Sequence, residues 1–368
     1  METIISGEPD AGPNNGEHAM TETREPTRRV LLARRPKGAP VADDFRLDEV
    51  PVPPLQPGEV QVRTIWLSLD PYMRGRMNDG PSYVPPARLD EPMPGECVGQ
   101  VEASRAEGFA ASEFVRGHGG WQSRFVLPAD KLTRLDPAEA PLSTSLGVLG
   151  MPGLTAYAGV HAVTRAKAGE TLVVGAASGA VGAIAGQLAK SAGCRVVGTA
   201  GGADKCRYVT DELGFDACLD RREPDLAGRL KAACPDGVDV YIELVGGELL
   251  WALLPLFNLH ARISVIGAVA WYNLAALPEG PDRSPLLWRT ILTKRLRVEG
   301  TLVYDFAGLE PEFRRHCVPL VRDGKLKFKE DVVEGLENAP RALMGLLEGG
   351  NFGKLLVRVA DDPTRPGR

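Results

Sequence analysis

The chain has 368 residues, 43% of them hydrophobic and 25% charged, with a formal net charge of −5. That length suits two domains with ample core, and the acidic balance gives no electrostatic reason to expect nucleic acid or an anionic membrane surface as a partner. No apolar run approaches the roughly 20 residues of a membrane helix, and the six cysteines, at 97, 194, 206, 218, 234 and 317, are spaced like reduced cytoplasmic thiols rather than a disulfide framework.

The start of the chain, residues 1–27, is polar and rich in Glu, Gly, Pro and Asn, and reads as a disordered extension without the regions of a secretory signal. From Arg28 to about Leu135 short strands alternate with Pro and Gly: Arg29 to Ala33, Phe45 to Val50, Glu59 to Ser68, Glu96 to Glu102 and Trp121 to Leu127. Such spacing predicts a compact β-rich domain. Pro141 to Gly159 reads as a helix-bearing crossover into a second domain.

From Thr171 the pattern changes. Thr171 to Ala176 is a buried strand, Ala177-Ser178-Gly179-Ala180-Val181-Gly182 a turn of small residues, and Val181, Ile184, Ala185 and Leu188 mark one helix face, which Gly193 ends. Cys194 to Thr199 returns as a strand. Strand, glycine turn, helix and strand fit a dinucleotide-binding unit, in which free N–H groups and the helix dipole receive a pyrophosphate. The loop is Ala-x-x-Gly-x-x-Gly rather than Gly-x-Gly-x-x-Gly, so a βαβ unit that binds nothing stays open at this point. A helix at Lys205–Leu213, strands at Ala217–Leu219 and Val238–Leu244, a helix at Glu248–Leu256 and strands at Ala261–Gly267 and Arg297–Leu302 continue the alternation. This is the pattern of a doubly wound parallel sheet. The segment from about Gly308 carries a helix and a strand, Lys354 to Val359, and is expected to fold back onto the first domain. The expected division is 28–154, 155–307 and 308–368.

Cofactor choice follows from the second strand of the glycine-turn unit. An NAD site places an acid there for the ribose 2′-hydroxyl; this strand ends Thr199-Ala200-Gly201-Gly202 with Lys205 after it, which suits a 2′-phosphate and so NADPH. Asp204 reads as the cap of the next helix. Metal is not expected, because Cys97 and His118 make half a zinc site at most.

Six stretches in consistent order, DPYMRGRM at 70–77, SYVPP at 82–86, GGWQ at 119–122, GMPGLTAY at 150–157, AASGAVG at 176–182 and NFGKLLV at 351–357, resemble the zinc-independent medium-chain reductases. The branch is the one containing leukotriene B4 12-hydroxydehydrogenase/prostaglandin reductase, plant alkenal double-bond reductases and bacterial curcumin reductase. The resemblance implies an α/β chain with a GroES-like β-rich catalytic domain and a Rossmann domain, NADPH, reduction of a carbon–carbon double bond conjugated to a carbonyl, and a homodimer paired through the Rossmann domains. It implies that Lys205 contacts the 2′-phosphate, that Tyr272 of the Tyr-Asn motif meets the cofactor and helps stabilise an enolate, and that Asn351 reaches the cofactor from the C-terminal segment. Two positions depart from it: Arg221 stands where the family often has tyrosine, and Leu244 where it has asparagine. Arg221 offers a second phosphate contact through its planar fork.

The expected cofactor lining is completed by Ala177 to Gly182 and by the carboxyl ends of later strands, Ile266, Gly267 and Ala268, then Leu302 and Val303. Tyr72, Tyr83 and Trp271 are the expected substrate-pocket residues, with Tyr72 and Tyr272 the candidate catalytic pair; Trp121 reads either as entrance or as core. The small-molecule partner is an enone, enal or quinone. A quinone oxidoreductase, a specialised biosynthetic reductase and a non-catalytic NADPH-binding protein remain the alternatives.

Overall fold

A computed structural model describes residues 25–276 and 278–365. Residues 1–24 of the expected extension lie outside that range. Glu25 to Thr27 do not continue it: Thr27 opens the first strand, donates its hydroxyl to the Arg124 carbonyl at 2.8 Å and is buried.

The first half is built on strands. β1 (Thr27–Leu32) and β2 (Phe45–Val50) form an antiparallel ribbon. β3 (Glu59–Ser68), β4 (Cys97–Ser104), β5 (Phe114–Gly117), β6 (Arg124–Pro128) and β7 (Thr133–Leu135) belong to a larger sheet. β3 is its spine, because alternate residues such as Val60 and Val62 are apolar and fully buried. Trp121 belongs to this core, fully buried and stacked on Phe45 at 5.9 Å, so it is not an entrance residue.

The second half alternates. β8 (Thr171–Val174), β9 (Arg195–Ala200), β10 (Ala217–Asp220), β11 (Val238–Glu243), β12 (Phe257–Val265) and β13 (Arg297–Gly300) make one parallel sheet in the order β10-β9-β8-β11-β12-β13. That order reverses direction beside β8, the switch point where doubly wound sheets bind nucleotides. β8 ends two residues earlier than its apolar run suggests, since Ala176 turns into the left-handed region at φ 46°. The helix Gly182–Ser191 follows at once. Gly182 has no substitute there, because a Cβ would sit 2.5 Å from the Ala176 carbonyl oxygen.

The C-terminal segment holds two helices, Glu310–Arg322 and Ala339–Leu347, and two strands, β14 (Glu330–Glu334) and β15 (Lys354–Arg358). β15 pairs antiparallel with β3, so the end of the chain extends the first sheet. A buried ion pair fastens it: Lys354 Nζ lies 2.9 Å from Asp70 Oδ1 and donates to the Leu69 carbonyl at 2.7 Å. The helix Ser284–Lys294 is a further element that the alternating pattern did not reveal. Among the described residues no helix is long and apolar enough to cross a membrane.

Candidate functional site

A cavity of about 650 Å³ opens where the carboxyl ends of the parallel strands meet the first sheet. One wall is the loop Ser178–Gly182 and the start of the helix Gly182–Ser191, whose first turn has no side-chain cap, with the Ala183 amide donating to the Gly179 carbonyl at 3.1 Å. Ile266, Gly267, Leu302 and Val303, after β12 and β13, line the wall beyond it. The segment carrying Asn351 crosses over the glycine loop, where Gly179 and Gly353 form an isolated parallel bridge.

At one end of the cavity cations converge. Lys205 Nζ donates to the carbonyls of Gly349 and Asn351 at 2.8 and 2.5 Å. Both Arg221 and Arg222 place guanidinium nitrogens within 3.5 Å of the position a Gly201 Cβ would take. Burial, then Arg222 and Arg221, lower the lysine's pKa. Lys205, on the short helix Ala203–Arg207, and Arg221 and Arg222, just after β10, therefore crowd positive charge around the glycine turn that follows β9, which fits the 2′-phosphate of NADPH. The buried Thr199 hydroxyl, at the same strand end, lines the cavity with no hydrogen-bond partner among the described residues.

Tyrosines gather at the other end. Tyr83 and Tyr304 lie 6.4 Å apart, and Tyr83 is raised above its ordinary pKa by burial, then by Tyr272 and Tyr304. Tyr72 is raised well above the usual tyrosine value by burial, with Asp70 and Glu96 adding to it, so its phenol stays protonated. The Tyr272 hydroxyl accepts from the Ala268 amide at 3.4 Å and sits 3.1 Å from where a Gly267 Cβ would lie.

The structure thus brings Tyr72, Tyr83, Ser178, Gly179, Ala180, Val181, Gly182, Lys205, Arg221, Ile266, Gly267, Tyr272, Leu302, Val303 and Asn351 to one cavity. It does not bring three others to the lining. Ala177 is fully buried beneath the loop, its amide donating to the Thr199 carbonyl at 2.9 Å. Ala268 supports Tyr272 from behind. Trp271 lies 39% exposed with its ring over Gly246, where a Cβ would come within 3.0 Å, so it covers the β11 turn instead of the pocket. Glu243 braces that turn, its Oε1 accepting from the Val245 and Gly246 amides at 2.7 and 2.8 Å, and Leu244 lines the cavity as a plain apolar wall.

Sequence reasoning missed Arg222, Tyr304 and an ionic floor of Asp70, Glu96, Arg116 and Lys354. The Arg221-Arg222 pair was a visible signal. The floor was not, because its members come from four separate stretches of the chain. Among the described residues no group of three or more His, Cys, Asp or Glu is placed to hold a metal ion.

Comparisons with known proteins agree with this geometry. Residues 28–135 match a family described as the N-terminal domain of oxidoreductase, and residues 180–321 match one described as zinc-binding dehydrogenase. The chain is 48% identical to the NADPH-dependent curcumin reductase of Escherichia coli over 93% of its length and all of that protein. It is 40% identical to the NADP-dependent 2-alkenal reductase of Nicotiana tabacum, over 90% of this chain and 97% of that one. The crystal structure of Vibrio vulnificus CurA in complex with NADPH superposes with a TM-score of 0.88 at 44% identity, covering 91% of this chain and 100% of that one. The chain belongs to the zinc-independent branch of the medium-chain dehydrogenase/reductase family that includes the curcumin, 2-alkenal and prostaglandin reductases.

Proposed function

We propose that this chain uses NADPH to reduce the carbon–carbon double bond of α,β-unsaturated ketones or aldehydes. One observation carries the reading: a single cavity runs from the cations Lys205 and Arg221 to the phenols Tyr72, Tyr83, Tyr272 and Tyr304, past the glycine loop. Its volume, about 650 Å³, accommodates a cofactor arm with a sizeable substrate.

Lys205, Arg221 and Arg222 hold the 2′-phosphate, and the amides of Ser178, Ala180, Val181 and Gly182 with the helix dipole hold the pyrophosphate, the Gly179 amide being taken by the Ala176 carbonyl at 2.8 Å. NADPH, when bound, supplies the hydride. Reduction at the β-carbon builds negative charge on the substrate's carbonyl oxygen, and the chain's task is to place donors there. Tyr272 donates its hydroxyl to that oxygen. Tyr72, kept protonated by its surroundings, lines the opposite wall and orients the substrate. Asn351 shapes the cofactor channel, its side-chain amide donating to the Gly353 carbonyl at 2.7 Å. The test is NADPH oxidation against a panel of enones, enals and quinones. A quinone that outpaces every enone would favour a quinone oxidoreductase, and no turnover at all a binding protein.

The working division is a catalytic unit of residues 28–154 with 308–368, and a cofactor unit of 155–307. We also propose a homodimer formed through the cofactor units. The helix Ser284–Lys294 leaves Leu286, Trp288 and Leu292 exposed at 55%, 67% and 77%, beside β13 at the edge of the parallel sheet. Large apolar side chains next to an edge strand suit a second copy of the same surface. Light scattering should give twice the chain mass, and Trp288→Glu should give the single-chain mass. The six thiols, free among the described residues, suit a reducing compartment, and we place the enzyme in the cytoplasm.

A further inference from the structure

The cavity floor carries an acid that the reaction above leaves unused. β4 begins at Cys97 opposite Gly117 of β5, with Val98 opposite Arg116. One step beyond the end of that antiparallel ladder, Glu96 and His118 become neighbours. The diagonal position puts Arg116 on the face of Glu96, and Arg116 Nε lies 3.3 Å from Glu96 Oε1. Arg116 also reaches Glu310, at the start of the helix Glu310–Arg322, at 3.1 Å.

The remaining ionisable groups of this floor have other tasks. Asp70 is fixed by Lys354 Nζ at 2.9 Å and by the Ser68 hydroxyl, and Lys354 is committed to Asp70 and the Leu69 carbonyl. Packing around its ring, then Arg116 and Arg76, lower His118, so its imidazole is neutral near pH 7. Tyr72 is too weak an acid. Glu96 lines the cavity with 16% of its side chain exposed.

We propose that Glu96 is the acid that protonates the α-carbon, a step that rests on the enone-reductase reading. The hydride brings its electron pair to the β-carbon, and the former π pair moves out to leave an enolate. The Glu96 O–H bond then breaks as the Cα–H bond forms. Arg116 holds the carboxylate until water entering past His118 returns the proton, so one hydride and one proton are consumed per double bond. Burial raises the Glu96 carboxyl to about 7, against Arg116 and Lys354, with Asp70 and Glu310 adding to the rise. A group poised there exchanges between acid and carboxylate at neutral pH, as a general acid must.

Stopped-flow NADPH oxidation with a saturating enone, set beside steady-state turnover, separates the hydride step from protonation. Glu96→Gln should keep the hydride rate within about threefold, lower kcat roughly a hundredfold and remove its fall above about pH 7; Glu96→Asp should recover part of the loss. A kcat within about twofold with the pH dependence intact overturns the proposal, and so does a hydride rate that falls in parallel with kcat, the mark of a merely structural carboxyl. A second readout needs neither substrate nor cofactor. A carboxyl raised in the folded state loses stability as pH rises through its folded value, so the stability gained by Glu96→Gln should grow from about pH 5 to about pH 8. A gap that does not change with pH overturns the buried acid. If the unaltered chain reduces no enone, the functional reading fails and this step with it, and the stability series tells that failure from a Glu96 that is simply ionised.

Discussion

Lys205 donates its ammonium to the backbone carbonyl of Asn351 at 2.5 Å, joining the short helix Ala203–Arg207 that follows β9 to a segment 146 residues further along the chain. The same nitrogen reaches the Gly349 carbonyl at 2.8 Å, and the Arg221 guanidinium stands 3.5 Å from where a Gly349 Cβ would lie. The cation proposed for the 2′-phosphate is therefore already held in place by neutral oxygens, which position it without cancelling its charge.

Replacing Lys205 by Ala should erode the preference for NADPH over NADH roughly tenfold, the worth of about 1.4 kcal/mol in one charge-assisted contact. Arg221 and Arg222 keep the residue of the preference. Catalytic efficiencies measured with both cofactors check this, and equal efficiencies in the unaltered protein would contradict the assignment of the whole cluster.

Tyr272→Phe should fold normally, bind NADPH and slow the hydride step by roughly ten- to a thousandfold, the range for losing one preorganised donor. Tyr72→Phe should have the smaller effect on that step, since a wall residue contributes mainly binding shared by ground and transition states. Single-turnover kinetics distinguish the two. An unchanged hydride rate in Tyr272→Phe would make its hydroxyl a support for the Ala268 amide and no more.

Lys354→Met removes one half of a buried pair and strands the Asp70 carboxylate in the interior. The expected loss of stability is about 3–5 kcal/mol. Denaturant unfolding measures it; a loss below about 1 kcal/mol would mean that Asp70 finds another donor or takes up a proton.

Activity should survive prolonged chelation, and elemental analysis should find less than one zinc per chain. Cys97 is poorly suited to metal, because burial pushes its thiol far above the ordinary value and its sulfur lies 3.2 Å from the Gly120 carbonyl. Loss of activity that zinc restores would contradict this.

The sequence was most legible where local periodicity and glycine chemistry coincide. The β8 run and the turn ending at Gly182 mark the nucleotide unit, because Gly182 meets a steric demand that no other residue satisfies. It was less legible where long-range contact decides. Trp271 follows a strand end, as a pocket residue would, yet Gly246, 25 positions earlier in the chain, offers its ring a flat seat outside the cavity. Lys354 and Asp70 are separated by 284 residues, and nothing local to either announces their pairing. Glu96 stands beside Arg116 only because β4 and β5 pair in one register.

The central claim is that one cavity joins an NADPH site to an enone site. Its most direct test is the oxidation of NADPH by the purified chain on mixing with a simple α,β-unsaturated ketone, with the product identified by mass and NMR. The account predicts NADPH consumed one for one with a saturated ketone, the carbonyl intact, and much slower consumption of NADH. An allylic alcohol as product, or NADPH bound but never oxidised by any enone, enal or quinone, would contradict it.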